Sequence, residues 1–195
     1  MKLNVASALA LTGALAGFNA HADTINFATG QDGNGHLRKH GKDAHWIVTE
    51  WQQNGTDFPL PRNAVVISKK DDDFGYGAPP WVIRLKKYPS VWIAPDTDYA
   101  TNGNYTVTYT FDLTGYNLAT ASFSQFEWTI DDVGSVILNG NTIASLKFGK
   151  WSKMHSFSIP VSDLVQGVNT LTMTSTNSDY NYEGVRLSGT LDISR

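Results

Sequence analysis

The sequence predicts an all-β protein, an antiparallel β-sandwich, on three observations. Tyr105, Val107, Tyr109 and Phe111 alternate with Thr106, Thr108 and Thr110, the period of a strand with one face in a core and the other in water. Val136, Ile137 and Leu138 run into Asn139-Gly140 before Ile143, and Asn-Gly between apolar runs is a strong hairpin signal because both turn positions need positive φ. Residues 169–176 again alternate, Leu171 and Met173 between threonines. Abundant Thr, Asn and Gly fits the same class.

Taken in order, residues 1–22 read as a secretory signal peptide. Lys2 supplies the positive end, residues 5–18 are almost free of polar groups, and Ala20-His21-Ala22 has the small-x-small form that signal peptidase cleaves after. The apolar run is too short to span a bilayer, which needs about 20 such residues. The mature chain, residues 23–195, is then expected outside the cytoplasm, periplasmic or extracellular, and not inserted in a membrane. It has the length of one well-buried domain, and no linker or internal repeat divides it. Acidic residues outnumber basic ones 18 to 15 over the whole chain, which argues against nucleic acid as a partner. The absence of cysteine removes disulfides, thiol nucleophiles, thiolate zinc sites and iron–sulfur clusters.

Residues 24–28 are expected as the first strand and residues 29–43 as a polar, Gly-rich loop. His36 and His40 stand four apart in that loop, but Gly33, Gly35 and Gly41 oppose the helix that would align them on a metal. His45-Trp46-Ile47-Val48-Thr49 reads as a strand. Pro59, Pro61, Pro79 and Pro80 break the next stretch into short strands at 64–67, 81–85 and 91–94, with an exposed loop at 69–80 that carries Asp71, Asp72 and Asp73. These three aspartates lack the spacing of an EF-hand and read as a solvated run. Near the other end of the chain, Ser162-Asp163-Leu164-Val165 with Gly167 behind reads as a capped single helical turn.

The segments FDLTGYNLATASFSQFEWTIDDVGSVILNGNTIA and FSIPVSDLVQGVNTLTMTSTNS resemble the galactose-binding-like jelly-roll family, which includes sugar-binding domains of some glycoside hydrolases and many secreted bacterial proteins. The likeness covers roughly residues 90–193, and its marks are the Asn-Gly turn after a Val/Ile/Leu strand and the DLVQGVNTLT segment. It implies a jelly-roll sandwich, opened here by residues 43–49. The family hosts lectin modules, enzyme appendages and structural domains, so the fold assigns no function by itself. Many of its members hold a structural calcium near the first and last strands, for which Asp43 and Glu183 are the nearest acidic residues here.

Trp46, Trp51, Trp81, Trp92, Trp128 and Trp151 supply the aromatic faces that suit the C–H face of a sugar ring. Trp46, Trp92 and Trp128 lie among β-branched neighbours and read as core, whereas Trp51 and Trp151 sit beside polar residues and read as exposed. No G-x-S-x-G, H-E-x-x-H or phosphate-binding loop occurs, and no catalytic residue is assigned. A glycosidase needs two carboxylates, but strand alternation sends one of the neighbours Asp131 and Asp132 inward and the other outward.

If consecutive strands are antiparallel, successive loops alternate between the two ends of the sandwich. Loops 95–103, 131–132, 149–153 and 177–183 then share one end, and 113–121, 139–140 and 160–168 share the other. The first end carries Tyr99, Asp131, Trp151, Asp179, Tyr180, Tyr182 and Glu183. Trp151, Tyr180 and Tyr182 are expected as a stacking platform, with Asp131, Asp179 and Glu183 orienting sugar hydroxyls or a bridging cation. The expected function is non-catalytic, lectin-like binding of a glycan or cell-surface polysaccharide. A structural or adhesive protein without sugar specificity stands second and a glycan-active hydrolase third.

Overall fold

A computed structural model describes residues 22–53, 55–67, 89–96, 103–148, 150–177 and 183–195. Residues 1–21 of the expected signal peptide, the strand expected at 81–85 and the loop expected at 69–80 lie outside the described residues. The described chain is all-β, and every strand pairing is antiparallel. Its strands are β1 (Ala22–Asn26), β2 (Gly41–Gln53), β3 (Thr56–Asp57), β4 (Arg62–Val66), β5 (Ile93–Ala94) and β6 (Gly103–Asp112). They continue as β7 (Ser122–Asp131), β8 (Val133–Leu138), β9 (Asn141–Leu146), β10 (His155–Ser156), β11 (Val168–Asn177) and β12 (Gly184–Ser194).

Hydrogen bonds connect the strands in the order β10-β7-β12-β5-β4-β2-β6-β11-β8-β9, with β1 added on β12 and β3 on β2. This sheet curls over on itself, so that β7 and β12 face β11 across a shared core, a sandwich of jelly-roll type. Alternation builds that core. From β6 come Tyr105, Val107 and Phe111, from β11 Leu171 and Met173, and from the facing layer Trp128, Ile130, Leu187 and Leu191, all buried. Trp46 and Trp92 are buried with Trp128, as their neighbours imply. Outward threonines on β2, β6 and β11 form a ladder, Thr49 to Thr108 at 3.1 Å and Thr108 to Thr172 at 3.2 Å.

The Asn-Gly turn joins β8 to β9 with φ of 49° at Asn139 and 86° at Gly140, the two positive values such a turn requires. The turn is also tied to the body. Asn139 donates to Asp163 O at 2.8 Å and Asn169 Oδ1 at 2.7 Å and accepts from Thr170 N at 2.9 Å. Asn169, fully buried, holds Val165 N, Val165 O and Gly167 O at 2.8 to 2.9 Å. The helical turn expected at 162–165 is a 3₁₀ turn at Val161–Asp163, preceded by Pro160 and without a side-chain cap. Its neighbouring backbone is served by Asn169 instead.

β2 departs most from expectation. It runs well past Thr49, and its register with β6 slips between Val48 and Glu50. Thr49 and Glu50 therefore both face outward, and Trp51 is returned to the inner side, 6% exposed, rather than lying in an exposed loop.

Candidate functional site

The registers define one end of the sandwich. Gln53 and Asn177 both pair with Gly103, Thr176 pairs with Val133, Gly184 with Asp131 and Gly134 with Leu146. Toward this end the core changes character. Along β6 and β11 the inward positions run from Val107 and Met173 to Tyr105, Ser175 and Asn177. Asp131 at the end of β7, Asp132 beyond it and Glu183 before β12 complete a polar cluster, at 7%, 2% and 3% exposure.

The inward-outward division expected of Asp131 and Asp132 does not hold, since both are buried. Alternation governs residues within a strand, and Asp132 lies in the step between β7 and β8.

Burial and the neighbouring charges of Asp132 and Asp131 push the Glu183 carboxyl up to about 8, so it holds a proton at neutral pH. Burial also raises Tyr105 well above the usual phenol range, with Glu183 and then Asp131 adding to the effect and Ser175 opposing it. Tyr105 and Ser175 face each other as a cross-strand pair, yet neither buried hydroxyl makes a hydrogen bond of good geometry among the described residues, so Ser175 acts on Tyr105 only as a loose neighbour. Buried polar atoms without partners are uncommon in a folded chain and mark this end as built for something other than stability.

Asp43 is elsewhere. It is fully buried, and its carboxylate accepts from the backbone N–H groups of Gly30, His45 and Trp46, which fastens the preceding loop to β2. Burial raises its pKa, and those three donors hold the rise back. Its charge acts on Tyr109, whereas Glu183 acts on Tyr105, four residues away along β6 or about 13 Å of strand. No contact among the described residues joins Asp43 to Glu183, the two expected as calcium ligands. Among the described residues no three acidic, histidine or cysteine side chains converge to hold a metal ion. His36 is exposed beside Asp32 at 3.8 Å, and His40 is exposed as well.

Trp151 is half-buried. Thr129 Oγ1, two residues before Asp131, donates to the carbonyl of Lys150 at 3.2 Å, which draws the Trp151 segment to β7 near the polar end. Tyr99, Asp179, Tyr180 and Tyr182 lie outside the described residues.

Beside the cluster lies a groove of about 390 Å³, within the usual range for small-ligand sites, lined by β2, β3, β6 and the turn after β3. Phe58, half-buried, stacks on Trp51 with ring centroids 3.9 Å apart and planes 16° from parallel. Arg62 packs on the Trp51 ring at 5.3 Å. Glu50, Gln52, Asp57, Asn104 and Thr106 line the groove from the outer face of these strands, opposite the inward Trp51 and Tyr105. Glu50 accepts from Thr106 Oγ1 at 2.8 Å and Asp57 from Gln52 Nε2 at 3.2 Å, so each carboxylate has an oxygen to spare. Tyr105 belongs to both features, lining the groove while its hydroxyl lies among the buried acids.

Sequence reasoning missed this groove. It depends on the β2 slip and on a fold-back around Phe58, and the one local signal was Pro59 and Pro61 following a Trp-containing strand.

No protein-family model matches the chain, and no curated protein matches it. Among solved structures, it is similar to the GH31 alpha-xylosidase from Xanthomonas citri, at 9% identity and a TM-score of 0.35, over 77% of this chain and 18% of that one. A likeness at that level carries no argument about fold or function.

Proposed function

We propose that this is a secreted, non-catalytic carbohydrate-binding protein of the galactose-binding-like jelly-roll type, which takes a glycan at the polar end of its sandwich. The observation that carries the reading is the groove at Trp51 and Phe58. A half-buried Phe58, backed by Trp51, beside a row of carboxylate, amide and hydroxyl groups suits a sugar, whose rings are apolar on one face and hydrogen-bonding at the edge. Asp131, Glu183 and Trp151 lie toward the same end and extend the polar surroundings of the groove.

The test is a glycan array probed with the exported protein, followed by titration of the sugars it retains. Saturable binding to a defined set of glycans, weakened at least tenfold by Phe58→Ala with the melting temperature nearly unchanged, supports the reading. Binding to nothing on the array, or wild-type affinity in the folded Phe58→Ala variant, overturns it.

A further inference from the structure

The groove carries a charge pattern that narrows its ligand. Among the described residues its two side chains of fixed charge, Glu50 and Asp57, are both acidic, both exposed and both on the rim, and no described basic side chain lines it. Each has one oxygen engaged by a neutral partner, Thr106 and Gln52, and neither makes a salt bridge among the described residues. Arg62 lies against the Trp51 ring and pairs with Asp96 at 3.2 Å, a residue that does not line the groove. A ligand entering here meets acceptors and negative potential.

We infer that the groove selects a glycan bearing a free amino group, a cationic amino sugar, over the neutral N-acetylated and the anionic uronate forms of similar size. The inference rests on the carbohydrate-binding reading and deepens it. An ammonium offers three N–H donors and a positive charge to Glu50 and Asp57, forming charge-assisted hydrogen bonds. Acetylation removes the charge and two of those donors. A uronate carboxylate would place like charge against the rim and is rejected for that reason.

Three oligosaccharide series of equal length, built from glucosamine, N-acetylglucosamine and galacturonate, are titrated into the exported protein at low and at high salt. The glucosamine series should bind on the order of tenfold more tightly than the acetylated one at low salt, as two partly screened ion pairs would produce. High salt should shrink that ratio, and galacturonate should bind weakest. The double variant Glu50→Gln, Asp57→Asn should bring the ratio of amine to acetyl affinity close to one. Equal or tighter binding of the acetylated or uronate series overturns the inference alone, as does a preference that survives in the double variant. If none of the three series binds and the glycan array is also blank, the carbohydrate reading fails and this inference with it.

Discussion

The two ends of the sandwich solve the same problem in opposite ways. At the Asn139-Gly140 end, a buried and a half-buried amide meet their partners. Asn139 and Asn169 bond to each other and to the backbone at residues 163, 165, 167 and 170, so hairpin, 3₁₀ turn and β11 are fastened together. At the other end, Tyr105 and Ser175 are buried without a well-formed hydrogen bond on either hydroxyl among the described residues, near Glu183, whose proton affinity burial, Asp132 and Asp131 raise. The first arrangement maximises stability, and the second forfeits some. Functional sites are where folded chains accept such losses, which is why the polar end and its groove are the place to look for binding.

The largest expected effect sharpens the comparison through pH. Glu183 titrates at about 8 in the fold against an ordinary 4.5, so between these values the native state binds a proton that the unfolded chain does not. This group's contribution is therefore full below pH 4.5 and declines as pH rises to about 8, after which it is flat. The folding constant should fall by up to about tenfold per pH unit across that window. Glu183→Gln, which cannot ionise, should flatten the decline measured by urea unfolding between pH 6 and 8 and should be more stable than wild type at pH 9. An unchanged slope would mean that the acids at this end are not coupled as described.

The opposite end should respond in the opposite sense. Asn169→Ala removes bonds to Val165, Gly167 and Asn139 inside a fully buried site and should cost about 3 kcal/mol, seen as a clear fall in melting temperature. A loss under about 1 kcal/mol would remove the contrast between the ends. Gly140→Val is the next largest. Space is open around Gly140, but a β-branched residue at φ of 86° is strained, and the cost should exceed about 1 kcal/mol. The smallest effect belongs to Ser175→Ala. Deleting a buried hydroxyl that makes no well-formed hydrogen bond among the described residues should change stability by less than about 0.5 kcal/mol, or raise it. A loss comparable to that of Asn169→Ala would show that Ser175 holds a structural partner after all.

Much of the frame was legible in the sequence because its signals are local. The alternation of residues 105–111 and 169–176 and the Asn-Gly turn each rest on a few consecutive residues, and β6, β11 and the β8–β9 turn follow them. Loop parity works for the same reason, once antiparallel pairing is granted. The site was harder to read because it depends on departures from local rules. The slip between Val48 and Glu50 reverses the parity of β2 beyond it, which buries Trp51 and turns Glu50 into the groove. Asp132 escapes alternation by lying between strands, and Asp43 is absorbed by backbone donors from a loop thirteen positions earlier and from its own strand. None of these contacts has a signature in residue spacing.

Whether binding belongs to the polar end is decided by mapping amide chemical-shift changes during titration with a glycan the array retains. Saturable shifts should concentrate at residues 49–52, 57–58 and 104–106, the lining of the groove, while Asn139, Asn169 and residues 161–163 stay still. Shifts centred on Asn139 and Asn169, with the groove silent, would contradict it.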